Sequence, residues 1–119
     1  MTGEVKRAEE YPEGDFRRND PRYQGENYDA NRRAAQIVFD IAMAKHATPA
    51  QIALAWLLQK GDDVVPIPGT KRRKYLEEDL AAETMKLDAA QMKALDDALA
   101  PGTVSGKRYA ERLMATIDR

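Results

Sequence analysis

Residues 64–79 constrain the fold of this chain more than any other segment. Residues 64–67 form a short apolar run rich in β-branched side chains, which is typical of a buried strand. The run ends at Pro68 and Gly69, and the sequence then passes directly into a predicted helix that Thr70 can cap. The chain is therefore expected to change from strand to helix through a very short turn.

The first turn of this predicted helix is basic. It carries Lys71, Arg72, Arg73 and Lys74 beside backbone N–H groups that have no intrahelical acceptor. Such a turn can bind a phosphate. The alternative is that the four cations only solvate an exposed helix end. Cations at a helix N-terminus oppose the macrodipole unless an anion is present, so the residues alone leave both interpretations open.

The rest of the chain predicts helices and one long loop. Residues 2–29 are rich in charge, Gly, Pro, Asn and Tyr, and have no sustained apolar period. Thr48, Pro49 and Gln51 form a capping box that opens a helix expected to end at Gly61 in a left-handed cap. The predicted helices cover about residues 30–45, 48–60, 72–82, 88–100 and 107–117. The fold class is therefore mainly α with one short β-strand.

The helix over about residues 72–82 is expected to bury one side of its surface. The side chains expected inside are Tyr75 or Leu76, then Leu80 and Ala81. The helix at residues 48–60 is apolar almost all round, which indicates burial on more than one side.

Residues 67–80 resemble the eighth strand and cofactor loop of the aldo-keto reductases. Ile67-Pro68-Gly69-Thr70-Lys71 is followed at the family's interval by Leu76-Glu77-Glu78-Asp79-Leu80. The likeness is closest to the Ile-Pro-Gly-Thr branch, which is akin to the potassium-channel beta subunits. Residues 48–58 are similar to the helix just before that strand, and residues 15–27 resemble the long loop after the seventh strand. Three motifs in the family's order make the resemblance specific.

The resemblance implies a part of a larger fold. The family is a (β/α)₈ TIM barrel, which typically needs about 250 residues, whereas this chain has 119. We expect the chain to be a fragment corresponding to the last helices and the eighth strand. Residues 1–29 are expected to be an extended loop, poorly ordered if isolated, and residues 30–119 the helical C-terminal portion. The family's catalytic Asp, Tyr, Lys and His precede this part, so no catalytic residue is carried over.

The resemblance also implies part of an NADP(H) site. Residues at the Gly69 and Thr70 positions approach the adenosine 2′-phosphate, and Lys71 or Arg72 would supply its counter-charge. Tyr75 replaces an Arg of many members and could stack on adenine. Glu78 and Asp79 occupy the positions that bind the adenine amine. The alternative for Glu77, Glu78 and Asp79 is a solvated acidic face that pairs with Arg73 and Lys74.

Composition excludes several other classes of function. Lys and Arg number 19 against 20 Asp and Glu, so the chain has no excess positive charge for binding nucleic acid. It contains no cysteine, which excludes disulfides and thiolate metal sites, and we predict no metal site. No apolar run approaches the roughly 20 residues that a membrane span requires, and the start lacks a signal-peptide pattern. A cytoplasmic location is expected.

Two hypotheses of function stay open on the sequence. The first is a C-terminal segment of an NADP(H)-dependent aldo-keto reductase, whose intact relatives reduce carbonyls by hydride transfer and which is inactive alone. We expect the isolated chain to bind the cofactor weakly or not at all. The second is a small helical protein-interaction module without enzymatic activity. The expected partners are a nicotinamide dinucleotide, a second copy through self-association, or the missing barrel half.

Overall fold

The computed structural model describes residues 4–117, in which short helices are joined by turns. The α-helices of this part are α1 Gly25–Ala44, α2 Pro49–Leu58, α3 Arg73–Leu80, α4 Ala89–Ala98 and α5 Glu111–Met114. Single 3₁₀ turns occur at Ala8–Glu10, Phe16–Asn19, Pro21–Tyr23 and Ala81–Thr84. Two compact units divide the chain: Gln36–Ala98 forms the first, and Glu4–Ala35 with the residues from Leu99 onward forms the second.

The predicted strand at residues 64–67 is wrong. Residues 64–70 have no regular secondary structure, and residues 4–117 contain no strand anywhere. A strand is stabilised by hydrogen bonds to a neighbouring strand, and the described residues supply none. Val65 is 78% exposed and Ile67 is 92% exposed, so the run is not buried either. The mainly helical character of the prediction is confirmed.

Helix α1 begins at Gly25, ahead of the predicted start near residue 30, and ends at Ala44. A Schellman motif closes it. The Ala47 N–H donates to the Ala42 carbonyl at 2.9 Å, and the His46 N–H donates to the Met43 carbonyl at 3.2 Å. His46 takes the left-handed conformation, with φ of 52°, where glycine is the usual residue. The chain's only histidine therefore lies at a helix end.

Helix α2 opens with the predicted capping box. The Gln51 N–H donates to Thr48 Oγ1 at 3.3 Å, and the Thr48 N–H donates to Gln51 Oε1 at 3.0 Å. The predicted left-handed cap at Gly61 is wrong, because α2 ends at Leu58 and Gly61 has no positive φ. Gly61 is small for a different reason: a Cβ there would lie 2.7 Å from Asp63 Oδ1.

The fully buried side chains of the first unit come from α1, α2 and α4. Ile52 of α2, Leu95 of α4 and Val38 of α1 are fully buried. The Gln59 side chain ties α2 to the segment before α4, since its Nε2 donates to the Leu87 carbonyl at 3.0 Å and its Oε1 accepts from the Leu87 N–H at 2.8 Å. The remaining buried apolar residues of this unit are Ile41, Ala42, Ala55, Ala82 and Leu87.

The second unit is held by polar and aromatic contacts around a small core. The Tyr28 hydroxyl donates to the Val5 carbonyl at 3.0 Å, and the Lys6 N–H donates to the Tyr11 hydroxyl at 3.0 Å. Asn31 and Ser105 exchange two hydrogen bonds of 2.8 and 3.0 Å. The last helix is shorter than predicted.

The predicted division at residue 29 stays a prediction. The first three residues of region 1–29 and the last two of region 30–119 lie outside the described residues. Among residues 4–117 no helix is long and apolar enough to cross a membrane.

Candidate functional site

The turn between Gly69 and Arg73 is open to solvent. Gly69 is exposed, and a Cβ placed on it would meet nothing within 4 Å. Thr70 Oγ1 accepts from the Arg72 N–H at 3.3 Å and donates to the Arg72 carbonyl at 3.1 Å. The predicted N-cap at Thr70 is therefore wrong, because the threonine hydroxyl closes a local turn instead of capping α3. Arg72 is the N-cap residue of α3 and provides no side-chain cap.

Helix α3 begins with two backbone amides that have no protein acceptor. The N–H groups of Tyr75 and Leu76 both donate to the Arg72 carbonyl, at 3.0 and 3.2 Å. Within residues 4–117, the N–H groups of Arg73 and Lys74 make no hydrogen bond. Both residues are exposed, so water solvates these amides unless a ligand replaces it.

The four cations of this turn are exposed and differ in their partners. Arg73 Nε donates to Glu77 Oε1 at 2.8 Å across one helical turn. Among the described residues, Lys71, Arg72 and Lys74 make no ion pair. The Arg72 guanidinium carbon lies 6.0 Å from the centroid of the Tyr75 ring. Three cations therefore remain available to an anion at the start of α3.

The acidic residues of α3 do not act alike. Glu77 pairs with Arg73, as the alternative interpretation of the acidic face predicts. Glu78 faces α2, because its Oε1 accepts from Thr48 Oγ1 at 2.8 Å and its carbonyl accepts from Gln51 Nε2 at 3.0 Å. The solvated-face interpretation therefore does not describe Glu78, which fastens α3 to the capping box of α2. Asp79 is half-buried.

An apolar groove of about 320 Å³ lies beside α3. Its wall combines Leu54 and Leu58 of α2 with Pro66 and Pro68 of the extended segment. The remaining lining residues are Leu76, Asp79, Leu80 and Glu83. The predicted burial of α3 is wrong: Tyr75, Leu76 and Leu80 are 45, 47 and 61% exposed, and Ala81 is exposed. The sequence indicated that α2 is apolar on almost every side and therefore needs cover on more than one side. The groove lies against one of these apolar sides, through Leu54 and Leu58.

The predicted site residues thus fall into two groups. The first group lies in the exposed turn before α3 or in the first turn of that helix: Gly69, Thr70, Lys71, Arg72 and Tyr75. Glu78 and Asp79 lie farther along α3, one bonded to α2 and the other lining the groove. No cluster of three or more potential metal ligands occurs in the described part of the chain.

Two tyrosines of the second unit pack against each other. Tyr11 and Tyr23 make an edge-to-face contact with ring centroids 5.9 Å apart. The Arg17 guanidinium lies 4.1 Å from the centroid of the Tyr11 ring. The Arg17 hydrogen bonds hold the pKa of Asp15 at about 2. Phe16 is 72% exposed. These residues stabilise the fold of their own unit.

Comparison with known proteins identifies the family. The profile of the "Aldo/keto reductase family" matches residues 2–100. "Aldo-keto reductase yakc [NADP(+)]" of Schizosaccharomyces pombe is 49% identical over 109 residues, which are 92% of this chain and 32% of that protein. "Probable aldo-keto reductase 1" of Glycine max is 44% identical over 89 residues, 75% of this chain and 26% of that protein. No solved structure matches.

A third relative extends the similarity to nearly the whole chain. "Aldo-keto reductase str7" of Strobilurus tenacellus is 32% identical over 118 residues, which are 99% of this chain and 35% of that protein. The chain therefore spans between 26 and 35% of the length of the curated relatives that it matches. Since the family profile covers most of the sequence, this chain belongs to the aldo/keto reductase family.

Proposed function

We propose that this chain carries the adenosine-phosphate end of an NADP(H) site in a carbonyl-reducing member of the family, on the Ile-Pro-Gly-Thr branch. The name of the Schizosaccharomyces pombe relative, which contains NADP(+), supports the choice of cofactor. The Ile67-Pro68-Gly69-Thr70 sequence supports the choice of branch.

The observation that carries the proposal is the unsatisfied start of α3. The amides of Arg73 and Lys74 have no acceptor among residues 4–117, and Lys71, Arg72 and Lys74 have no carboxylate partner there. A phosphate would satisfy both features at once, since its oxygens accept from the amides and its charge neutralises the cations. Without an anion, the cations oppose the helix macrodipole.

The remaining site residues receive roles from the same arrangement. Gly69 leaves open space in which a phosphate can approach the backbone. Tyr75, with Arg72 beside its ring, offers a stacking face for adenine. Asp79 would accept the adenine amine. Glu78 can contribute only its second carboxylate oxygen, because Oε1 already accepts from Thr48.

We further propose that this chain is a C-terminal segment that provides no catalytic group. The chain spans a minor part of each relative's length, and the resemblance implies that the catalytic Asp, Tyr, Lys and His belong to the other part. His46 would not substitute for them, because it is exposed and closes α1. The isolated chain should not oxidise NADPH with an aldehyde, and any carbonyl reduction requires the rest of the barrel.

Titration with 2′,5′-ADP tests the proposal directly. We expect weak, millimolar-range binding, with the largest amide chemical-shift changes in ¹H–¹⁵N NMR spectra at Arg73 and Lys74. Adenosine 5′-monophosphate, which lacks the 2′-phosphate, should cause smaller changes. The Lys71→Ala/Arg72→Ala variant should lose the response, because the two substitutions remove most of the unpaired charge.

A matched control is the Arg32→Ala/Arg33→Ala variant, which removes an exposed basic pair from α1. It should bind 2′,5′-ADP like the unmodified chain. Equal responses to the two nucleotides, or an unchanged response in the Lys71→Ala/Arg72→Ala variant, would show that residues 69–74 do not form a 2′-phosphate site.

A second candidate function is protein binding without catalysis. The exposure of Val65, Ile67 and Leu80 favours it, because monomeric proteins seldom leave several large apolar side chains of one segment uncovered. The two candidates differ in their ligand: the first requires the cations at the start of α3, and the second requires the apolar residues.

A further inference from the structure

We propose that residues 101–117 form a strap that undocks reversibly from residues 4–31 while the rest of the second unit stays folded. The strap is fastened by a latch between Asn31, Ser105 and Gly106. All of these residues belong to the second unit, whereas the proposed nucleotide site belongs to the first. The proposal is therefore independent of the nucleotide.

The Asn31 side chain on α1 forms the polar half of the latch. Asn31 Oδ1 accepts from the Ser105 N–H at 2.8 Å, and Asn31 Nδ2 donates to the Ser105 carbonyl at 3.0 Å. The same Nδ2 also donates to the Arg22 carbonyl at 3.4 Å, and Arg22 Nε donates to the Gly106 carbonyl at 3.4 Å. One amide side chain thus uses both its donor and its acceptor on a residue 74 positions away.

Gly106 forms the steric half of the latch, because it lets the strap approach the backbone of Pro21 closely. Its φ is 85°, in the left-handed region that favours glycine. A Cβ there would lie 3.1 Å from the Pro21 carbonyl oxygen and 3.0 Å from Asn27 Nδ2. Asn27 Nδ2 itself donates to the Pro21 carbonyl at 3.1 Å, so this side chain is not free to move away. A larger residue at position 106 must therefore displace the strap or the Pro21 backbone.

The strap contributes no buried residue to its unit. Every residue from 101 to 117 is exposed or half-buried, whereas Ala8, Tyr11 and Tyr28 of the same unit are buried. Undocking therefore exposes little apolar surface and leaves these three residues covered. Segments with few buried contacts open at lower free energies than the core of the same protein. The strap should therefore open on its own.

Residues 4–31 have contacts of their own that persist when the strap leaves. Arg18 Nη1 donates to the Tyr11 carbonyl at 2.8 Å, and Gln24 Nε2 donates to the Arg18 carbonyl at 2.7 Å. The Tyr28 hydroxyl donates to the Val5 carbonyl at 3.0 Å. None of these three bonds involves the strap. The segment therefore remains a surface on which the strap can dock again.

The docked strap covers a small cavity of about 70 Å³. Phe16, Asn19 and Asp20 line it from the segment that stays in place, and four residues between 109 and 113 line it from the strap. Because the second set moves with the strap, undocking opens the cavity and uncovers the first set. The strap is therefore a lid over residues 16–20 that the latch holds closed.

Amide hydrogen exchange followed by NMR measures the undocking. The Ser105 N–H reports on the strap because it donates to Asn31, and the Ala34 N–H reports on the interior of α1. After correction for intrinsic rates, Ser105 should exchange at least about tenfold more slowly than an unfolded chain and at least about tenfold faster than Ala34. Exchange of Ser105 at the unfolded rate would mean that no docked strap exists. Exchange as slow as that of Ala34 would mean that the strap and α1 open together. Either result overturns the proposal.

Two glycine variants test the steric half of the latch. Gly106 and Gly102 both have left-handed φ values, of 85 and 94°, but a Cβ on Gly102 would meet nothing within 4 Å. Gly106→Ala and Gly102→Ala therefore introduce similar backbone strain, and only Gly106→Ala adds the clash with Pro21. Gly106→Ala should accelerate the exchange of Ser105 severalfold more than Gly102→Ala does, with Ala34 unchanged in both. Equal acceleration in the two variants, or an equal acceleration at Ala34, would contradict the latch.

The Asn31→Asp variant tests the polar half of the latch. The carboxylate keeps an acceptor for the Ser105 N–H but has no donor for the carbonyls of Ser105 and Arg22, which it then repels. Exchange of Ser105 should accelerate severalfold while Ala34, on the same helix, keeps its rate. Unchanged exchange of Ser105 would show that Asn31 does not hold the strap, and equal acceleration at Ala34 would show a general loss of stability. Both results would overturn the proposal.

Discussion

Two neighbours of α2 cover it in different ways. On the α4 side, Trp56 Nε1 donates to Asp96 Oδ1 at 2.6 Å, and Lys60 forms an ion pair with the same oxygen. The Lys60 ammonium also lies 5.0 Å from the centroid of the Trp56 ring. On the α3 side, Glu78 bonds to Thr48 at one end of the contact, and an apolar groove remains beside it.

The difference separates a region that is complete from a region that is not. Ile52 of α2 and Leu95 of α4 are fully buried, so this side of the unit has a covered core. The α3 side carries the family motif and leaves Ile67 92% exposed. Residues 64–80 therefore leave a larger share of their apolar surface exposed than the α2–α4 side does. The packed core and the proposed binding surface of the unit therefore involve different sides of α2.

The two isoleucines of these regions should respond very differently to truncation. Ile52→Ala deletes a fully buried side chain and leaves a cavity, so it should lower the free energy of unfolding by about 2–5 kcal/mol. Ile67→Ala removes mostly exposed atoms and should change it by less than about 0.5 kcal/mol. Urea denaturation measures both values.

The comparison fails if the two values are similar. A large loss for Ile67→Ala would mean that residues 64–67 are buried, although Val65 and Ile67 are 78 and 92% exposed. A small loss for Ile52→Ala would mean that the α2–α4 core is loosely packed. Either result would remove the distinction between the covered and the uncovered side of α2.

Two adjacent glutamates of α3 sharpen the comparison at the edge of the groove. Glu78→Ala removes the hydrogen bond between the carboxylate and Thr48, and should cost about 1 kcal/mol of stability. Glu77→Ala removes an exposed pair with Arg73 and should cost about 0.3 kcal/mol. Thermal or urea denaturation of both variants measures the difference.

A matching test concerns the nucleotide. If Glu78 acts mainly in fastening α3 to α2, Glu78→Ala should reduce stability more than it reduces 2′,5′-ADP binding, and Asp79→Ala should do the reverse. Equal stability of the two glutamate variants would contradict the fastening role.

Local sequence signals predicted part of the local structure: the capping boxes form, whereas the predicted caps at Gly61 and Thr70 do not. The capping box at Thr48 and Gln51 forms as predicted, and Asp88 and Gln91 exchange the equivalent bonds at the start of α4, at 2.8 and 3.1 Å. In both cases every interacting group lies within a few residues, so the sequence contains the complete interaction.

Signals that depend on distant partners failed. The apolar, β-branched run at residues 64–67 predicts a buried strand, but burial and pairing require a second surface that the described residues do not supply. The hydrogen bond between Glu78 and Thr48 joins residues far apart in sequence, and no local pattern marks it. The left-handed conformation of His46 could not be predicted from the sequence either, because glycine is the residue usually found at such a helix end.

The same distinction applies to the proposed site. Gly69, Thr70 and the following cations could be named from the motif, and they do share one exposed turn. The sequence could not predict that Glu77 forms an ion pair, that Glu78 bonds to α2 and that Asp79 lines the groove. Their spacing is equally compatible with all three environments.

The smallest expected effect is a pH dependence on the covered side of α2. Hydrogen bonds from Lys60 and Trp56 lower the pKa of Asp96 below its usual value of 3.8. The unfolded chain then binds a proton at this carboxyl more readily than the folded chain does. The stabilisation from Asp96 is therefore complete above pH 3.8 and disappears as the pH falls through the lower, folded value.

Other carboxyls titrate over the same acidic range, so the contribution of Asp96 must be isolated by difference. Arg17 lowers the pKa of Asp15, and Arg7 lowers that of Asp29, so both also destabilise the folded chain as they are protonated. The Asp96→Asn variant keeps these groups and should show a shallower fall in stability below pH 3.8 than the unmodified chain. Identical pH profiles would mean that the charge of Asp96 does not stabilise the fold, and the covered side of α2 would then depend on apolar packing and the Gln59–Leu87 hydrogen bonds.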